Sequence, residues 1–129
     1  MADGTIERPA AFSELVVIRK DFARWLAHHS IHGSPADQLL VILNEVVTNA
    51  IEASPANATI TTQWALDDLE VRLTVEDDGP GFRYHRAEPV GPEAVRGRGL
   101  TIVEALSDRI QVQNDGNRTT VTTWTRVKR

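Results

Sequence analysis

The sequence predicts a two-layer α/β sandwich (an α+β fold) in which helices cover one face of a mostly antiparallel mixed sheet. The first half of the chain carries apolar residues at helical spacing, whereas much of the second half alternates apolar and polar residues. The predicted elements follow one another as helix, helix, hairpin, glycine-rich loop, long loop, helix and hairpin. Helices segregated from antiparallel strands pack as two layers, because each element must bury its apolar face against another.

Composition limits the classes of protein to which the chain can belong. Its 129 residues suit one domain with one core, which we expect to span residues 1–129. The formal charge of -4 argues against direct nucleic-acid binding, which usually needs a basic surface. No apolar run approaches the roughly 20 residues of a membrane span. The polar first residues do not resemble a secretion signal.

The chain contains no cysteine. This excludes disulfides, thiolate zinc sites and cysteine nucleophiles, and it is consistent with a cytoplasmic location. Three histidines lie close together at His28, His29 and His32. No carboxylate stands beside them at a recognisable metal-ligand spacing, so we interpret them as loop residues.

Two helices are predicted in the first half, after a short edge strand at Thr5 to Arg8. Ser13 is the predicted N-cap of the first, whose buried face comprises Leu15, Ile18, Phe22, Trp25 and Leu26. The second is centred on Leu39 to Ser54, with Ser34 as N-cap, Pro35 in its first turn and Pro55 after its end. Its predicted core residues are Leu39, Ile42, Leu43, Val46, Ala50 and Ile51.

The second helix also has a polar stripe. Glu45, Thr48, Asn49 and Glu52 have the spacing of residues that share one helical face. Considered alone, this stripe is most simply a solvated face.

Residues 58–77 are predicted to form a hairpin with one buried face. Ala58, Ile60, Thr62, Trp64 and Leu66 alternate with polar residues before a turn at Asp67-Asp68, and Leu69, Val71, Leu73 and Val75 alternate after it. Asp77 continues this inward parity. A carboxylate directed inward at the end of a core strand is unfavourable without a partner, so Asp77 indicates a site.

Two glycine-rich segments follow. Gly79 and Gly81 allow positive backbone dihedrals and close approach of another molecule, although a plain Gly-Pro turn is the simpler alternative. Residues 82–96 are predicted to be an irregular loop. Gly97-Arg98-Gly99 then opens a short helix from Leu100 to Ser107, where free backbone N–H groups can bind phosphate. The predicted final hairpin turns at Asn114 to Arg118, and one face of its last strand carries Thr119, Val121, Thr123, Thr125 and Val127.

Three motifs thus occur in a fixed order: Glu45-x-x-x-Asn49-Ala50 on a helix, Asp77-x-Gly79-x-Gly81 after a strand, and Gly97-x-Gly99-Leu100 at a helix start. Together they resemble the N box and the two glycine boxes of the histidine-kinase-like (GHKL, Bergerat-fold) ATPases. The resemblance covers residues 36–127. Thr119-Thr120-Val121 is similar to the family's threonine-containing final strand.

The resemblance implies ATP and Mg²⁺ as cofactors. Asn49 would ligate a magnesium ion that bridges the ATP phosphates, and Glu45 would be the general base. Asp77 would accept a hydrogen bond from the adenine amino group, with Thr119 helping to hold Asp77 or the base edge. The backbone would approach the nucleotide at Gly79, Gly81, Gly97, Gly99 and Leu100, with Arg98 as a charge partner of the phosphates.

Within the family, the chain is most similar to anti-sigma factors that are also serine-protein kinases. The segment from Gly97 to Arg109 is typical of them, as is the pattern Arg19, Phe22, Trp25-Leu26. The implied partners are a sigma factor, which the protein would sequester, and an anti-anti-sigma (STAS-type) protein, which it would phosphorylate on serine. The resemblance also implies a possible homodimer.

One position departs from that subfamily, because Ala53 stands where histidine is frequent. Sensor histidine kinases also resemble the three motifs, and two alternatives stay open. The protein could be a nucleotide-gated binding regulator with little or no kinase activity. It could also be a detached sensor histidine kinase catalytic domain, which would transfer phosphate to histidine on a separate helical partner.

Overall fold

The computed structural model of the chain describes residues 2–77, 100–115 and 118–127, and the side chains of all of these except residues 2 and 3. The strands are β1 (Ala2–Pro9), β2 (Thr59–Asp67), β3 (Glu70–Asp77), β4 (Arg109–Asn114) and β5 (Thr119–Arg126). The helices are α1 (Leu15–His28), α2 (Gly33–Ala53) and α3 (Thr101–Leu106), with a short 3₁₀ turn at Phe12–Glu14 before α1.

The five strands form one sheet in the order β1-β2-β3-β5-β4. All four neighbouring pairs among the described strands are antiparallel. The helices cover one face of this sheet, which confirms the predicted two-layer architecture. Because β1 is paired only with β2 among the described strands, the edge position predicted for Thr5 to Arg8 is also confirmed.

Strand alternation builds the sheet side of the core. Every second residue of β3 is buried from Val71 to Asp77, and the same holds on β5 from Thr119 to Thr125. The helical side comes from α1 and α2, which pack against each other and over the sheet. The buried residues of these two helices are Ile18, Phe22, Leu26, Leu39, Ile42, Leu43, Val46, Val47, Ala50 and Ile51.

β1 depends on a close contact that involves a glycine. Gly4 is the register partner of Trp64 on β2, and a Cβ atom on Gly4 would overlap the indole nitrogen of that tryptophan. The Trp64 ring therefore packs directly over the backbone of the edge strand. Since the ring is buried and also lies against Phe22, this contact joins β1 to the core under α1.

The two predicted helix caps were wrong. Ser13 lies inside the 3₁₀ turn, so that α1 begins after Glu14 rather than after Ser13. α2 begins at Gly33, one residue before the predicted cap Ser34, and Gly33 turns the chain into the helix with a φ of 66°. Glycine adopts this left-handed conformation without steric cost.

α2 ends at Ala53 and Ser54 is extended, which agrees with the end predicted from Pro55. Two smaller features differ from the prediction. Leu69 was predicted to face inward, but it lies in the turn between β2 and β3 and is exposed. α3 spans Thr101–Leu106, slightly less than the predicted helix. No helix in the described part of the chain is both long and apolar enough to cross a membrane.

Candidate functional site

The polar stripe of α2 lies on a helix that packs against both β3 and α3. Glu45, Thr48 and Asn49 are half-buried, whereas Glu52 is exposed. Glu45 and Asn49 are one helical turn apart, so their side chains project from the same side of α2. The half-burial of the first three residues shows that this stripe is not simply a solvated face.

Asp77 is the last residue of β3, and its side chain is only 1% exposed. This confirms the inward orientation predicted from strand parity. In the sheet register, Asp77 lies between Ile60 of β2 and Thr119 of β5. Thr119 is equally buried, at 1% exposure, so a carboxylate and a hydroxyl lie side by side within the core face.

Topology brings the polar stripe to the same end of the sheet as Asp77. α2 ends at Ala53, and the chain reaches the start of β2 at Thr59 after a short connection. The beginning of β2 pairs with the end of β3, where Ile60 faces Asp77. The last turns of α2, which carry Asn49, therefore lie over the Asp77 end of the sheet.

A further polar residue joins this end of the sheet. Asn114, the last residue of β4, is the register partner of Thr119. Its Nδ2 atom donates a hydrogen bond of 2.7 Å to the Oγ1 atom of Thr119. The row of neighbouring positions across the sheet is thus Ile60, Asp77, Thr119 and Asn114.

Sequence reasoning missed Asn114, which it assigned to a turn. The signal that could have found it is strand alternation, because Asn114 continues the parity of Ile110 and Val112 by one position. A polar residue that continues an inward parity at the end of a strand is the same signal that identified Asp77.

Leu100 is fully buried and directly precedes α3, where its carbonyl oxygen accepts a hydrogen bond from the backbone N–H of Glu104. Its side chain packs in the hydrophobic core together with that of Val103. The other predicted site residues, Gly79, Gly81, Gly97, Arg98 and Gly99, lie outside the described residues.

The donor set within the described residues limits how a metal ion could be bound. No group of three or more histidine, aspartate or glutamate side chains comes together as a metal site in this part of the chain. The three neighbouring histidines do not form one there either. The amide oxygen of Asn49 is a suitable ligand for a hard cation such as Mg²⁺, which commonly takes few protein ligands and completes its shell with phosphate and water oxygens.

Comparison with known proteins identifies the class. The profile of the histidine kinase-like ATPase domain family matches residues 9–124, and the chain therefore belongs to this family. This range contains all the predicted site residues. No curated protein matches the sequence.

Solved structures share the fold. One is the crystal structure of the RsbU and RsbW domains of Rv1364c from Mycobacterium tuberculosis, with a TM-score of 0.75, 22% identity and coverage of 100% of this chain. This chain spans 33% of that mycobacterial chain. Another is the catalytic domain of histidine kinase ThkA, with a TM-score of 0.58, 20% identity and coverage of 96% of both chains. The Acinetobacter baumannii histidine kinase AdeS matches with a TM-score of 0.51, at 21% identity, over 98% of this chain and 68% of its own.

Proposed function

We propose that this protein is an ATP-dependent serine-protein kinase that acts as an anti-sigma factor. It binds ATP with Mg²⁺, phosphorylates a serine of an anti-anti-sigma (STAS-type) protein and sequesters a sigma factor. The observation that carries the proposal is the buried pair Asp77 and Thr119, at the end of the sheet that the last turns of α2 approach, with Asn49 on those turns and Glu45 one turn before it.

The adenine base is held by Asp77 in this proposal. The carboxylate is already desolvated, and a buried carboxylate gains most from a strong donor such as an exocyclic amino group. Asp77 ends its strand, so the base can approach from beyond the strand end. The family resemblance implies the remaining contacts: Gly79 and Gly81 would let the backbone approach the base, and Gly97, Gly99 and Leu100 would provide backbone donors for the phosphates, with Arg98 as a charge partner.

Asn49 and Glu45 carry out the phosphate chemistry. The amide oxygen of Asn49 holds the magnesium ion, which supplies charge neutralisation for the phosphates. Glu45 orients the attacking serine hydroxyl and accepts its proton. Because Glu45 and Asn49 are one helical turn apart on α2, the general base and the metal ligand lie on one side of the helix.

The choice of partner rests on resemblance. The Gly97 to Arg109 segment is typical of anti-sigma factor kinases, and the similarity to a structure that contains an RsbW domain supports the same assignment. Ala53 favours a second candidate, a nucleotide-gated regulator that binds its partner but transfers little phosphate, because the kinase subfamily often has histidine there. A detached sensor kinase catalytic domain is the third candidate, and the similarity to the ThkA catalytic domain is consistent with it.

Phosphate transfer from radiolabelled ATP to a purified anti-anti-sigma protein tests the proposal. We expect label on serine with the native protein, and a loss of about a hundredfold or more with Glu45→Gln, without a comparable loss of ATP affinity. Glu52→Gln is the matched control, because Glu52 lies on the same helix but is exposed. This control should transfer label like the native protein.

The three candidates give different results. ATP binding without any transfer would reject the kinase and favour the regulator, and co-precipitation of a sigma factor with and without ATP would then test sequestration. Label that appears on histidine of a helical partner would favour the sensor kinase domain.

A further inference from the structure

Asn114 limits the directions in which the hydroxyl group of Thr119 can point. The Thr119 oxygen accepts a hydrogen bond from Nδ2 of Asn114 at 2.7 Å. A threonine hydroxyl has one proton and two lone pairs. One lone pair is occupied from the β4 side, and therefore the proton is available for an acceptor elsewhere.

The opposite neighbour of Thr119 is Asp77. Thr119 lies between Asn114 and Asp77 in the sheet register, with both residues directly across from it. Directly opposite side chains have Cβ atoms about 4.5–5.5 Å apart, so the hydroxyl can reach either the carboxylate or a ligand bound at it. An oxygen that accepts a hydrogen bond becomes a better donor, because such bonds polarise one another.

We propose that Asn114 is a positioning residue for nucleobase selection, which rests on the proposed function. By occupying one lone pair of the Thr119 hydroxyl, Asn114 favours its donor role, and the site then presents one acceptor, the Asp77 carboxylate, beside one donor, the Thr119 hydroxyl. Adenine offers the complementary pair, an amino donor beside a ring-nitrogen acceptor. Hypoxanthine offers the reverse, a carbonyl acceptor beside a ring N–H donor.

In this arrangement Asn114 affects base selectivity without contacting the base. A threonine hydroxyl free to rotate could accept from the ring N–H of hypoxanthine, and the site would then distinguish the two bases less well. Asn114 reduces that freedom, because its hydrogen bond occupies one of the two lone pairs of the hydroxyl. Its effect appears in the ratio of two affinities, whereas a purely structural role would weaken both ligands alike.

The test measures dissociation constants of magnesium-ATP and magnesium-inosine triphosphate by calorimetry. Asn114→Leu keeps the size of the side chain and removes the donor. We expect the preference for ATP to fall about fivefold, the range of one buried hydrogen bond. Asn114→Asp reverses the bond, because its carboxylate accepts the Thr119 proton, and it should reduce the preference at least as much. Gln113→Leu is the control, since Gln113 is the adjacent exposed residue of β4, and its ratio should not change.

A double-mutant cycle tests whether Asn114 affects the affinity ratio through the Thr119 hydroxyl. In a Thr119→Val background, Asn114→Leu should leave the ratio unchanged, because the group that it orients is gone. The inference is overturned if Asn114→Leu and Asn114→Asp both retain the native ratio, or if the change persists without the hydroxyl. A native protein that binds no ATP would overturn the proposed function and this inference together. An unchanged ratio with intact ATP binding overturns the inference alone.

Discussion

The inward face of β5 has two ends that differ in how their polar groups are satisfied. At one end, the buried hydroxyl of Thr119 is hydrogen-bonded to Asn114 and lies beside Asp77. At the other, Thr123 and Thr125 are also buried, but their hydroxyl oxygens have no hydrogen-bond partner within the part of the chain that the structure describes. Burial of a polar residue therefore does not by itself mark the site.

The difference has a physical reason. Thr123 is flanked by Leu73 and Ile110, so its row of the sheet is a hydrophobic layer that also contains Trp64 and Gly4. The threonine serves there as a β-branched side chain that fits a pleated, buried surface. The Thr119 row instead combines a carboxylate, a hydroxyl and an amide, which can together hold a polar ligand.

The largest effect is expected at Asp77. Asp77→Asn removes the charge and replaces one acceptor oxygen by a donor, so ATP affinity should fall about 10- to 100-fold, as expected for a hydrogen bond to a charged group. The free energy of unfolding of the nucleotide-free protein should change less than the free energy of ATP binding, because the substitution also removes a charge that is costly to bury. Calorimetry with ATP and urea denaturation measure the two quantities. Unchanged ATP affinity would show that this end of the sheet does not bind the base.

A substitution in the row of the sheet that contains Thr123 should change the stability of the protein without changing its ATP affinity. Gly4→Ala places a Cβ atom against the indole of Trp64, so β1 or the ring must shift. We expect a loss of about 2 kcal/mol in the free energy of unfolding, within the range for overpacked cores. ATP affinity of the folded protein should not change.

The matched control for Gly4→Ala is Gly33→Ala. An added Cβ atom at Gly33 would meet open space, so Gly33→Ala should cost only the strain of a side chain at a positive φ. Urea denaturation of both variants measures the contribution of the contact with Trp64. Equal stability of the Gly4→Ala variant and the native protein would show that the edge strand moves freely away from Trp64.

Much of this contrast follows from the sequence, and the rest depends on contacts between distant residues. Strand parity predicted that Asp77 faces inward and that Thr119 and Thr123 share one face of their strand, because alternation is a local property of the chain. It could not predict that Thr119 is hydrogen-bonded and Thr123 is not, since that depends on which residue of β4 lies opposite each of them. The helix caps at Ser13 and Ser34 failed for a related reason, because a cap is decided by the path of the preceding turn.

The smallest expected effect is at Thr123. Thr123→Val replaces a buried hydroxyl by a methyl group of nearly the same shape, and the lost oxygen had no hydrogen-bond partner among the described residues. Stability should rise by up to about 1 kcal/mol, because a desolvated polar group is removed without breaking a bond. ATP affinity should not change. Urea denaturation and calorimetry check both expectations.

Thr119→Val is the matched substitution at the other end of β5. The chemical change is the same, but here it removes the acceptor of the Asn114 amide, so stability should fall rather than rise. ATP affinity should fall as well. The two threonines are four residues apart on one strand, face the same side and are equally buried. Opposite signs in stability would therefore show that the hydrogen-bond partner, and not burial, separates the binding end of the sheet from its structural end. Equal signs would remove the basis for that distinction.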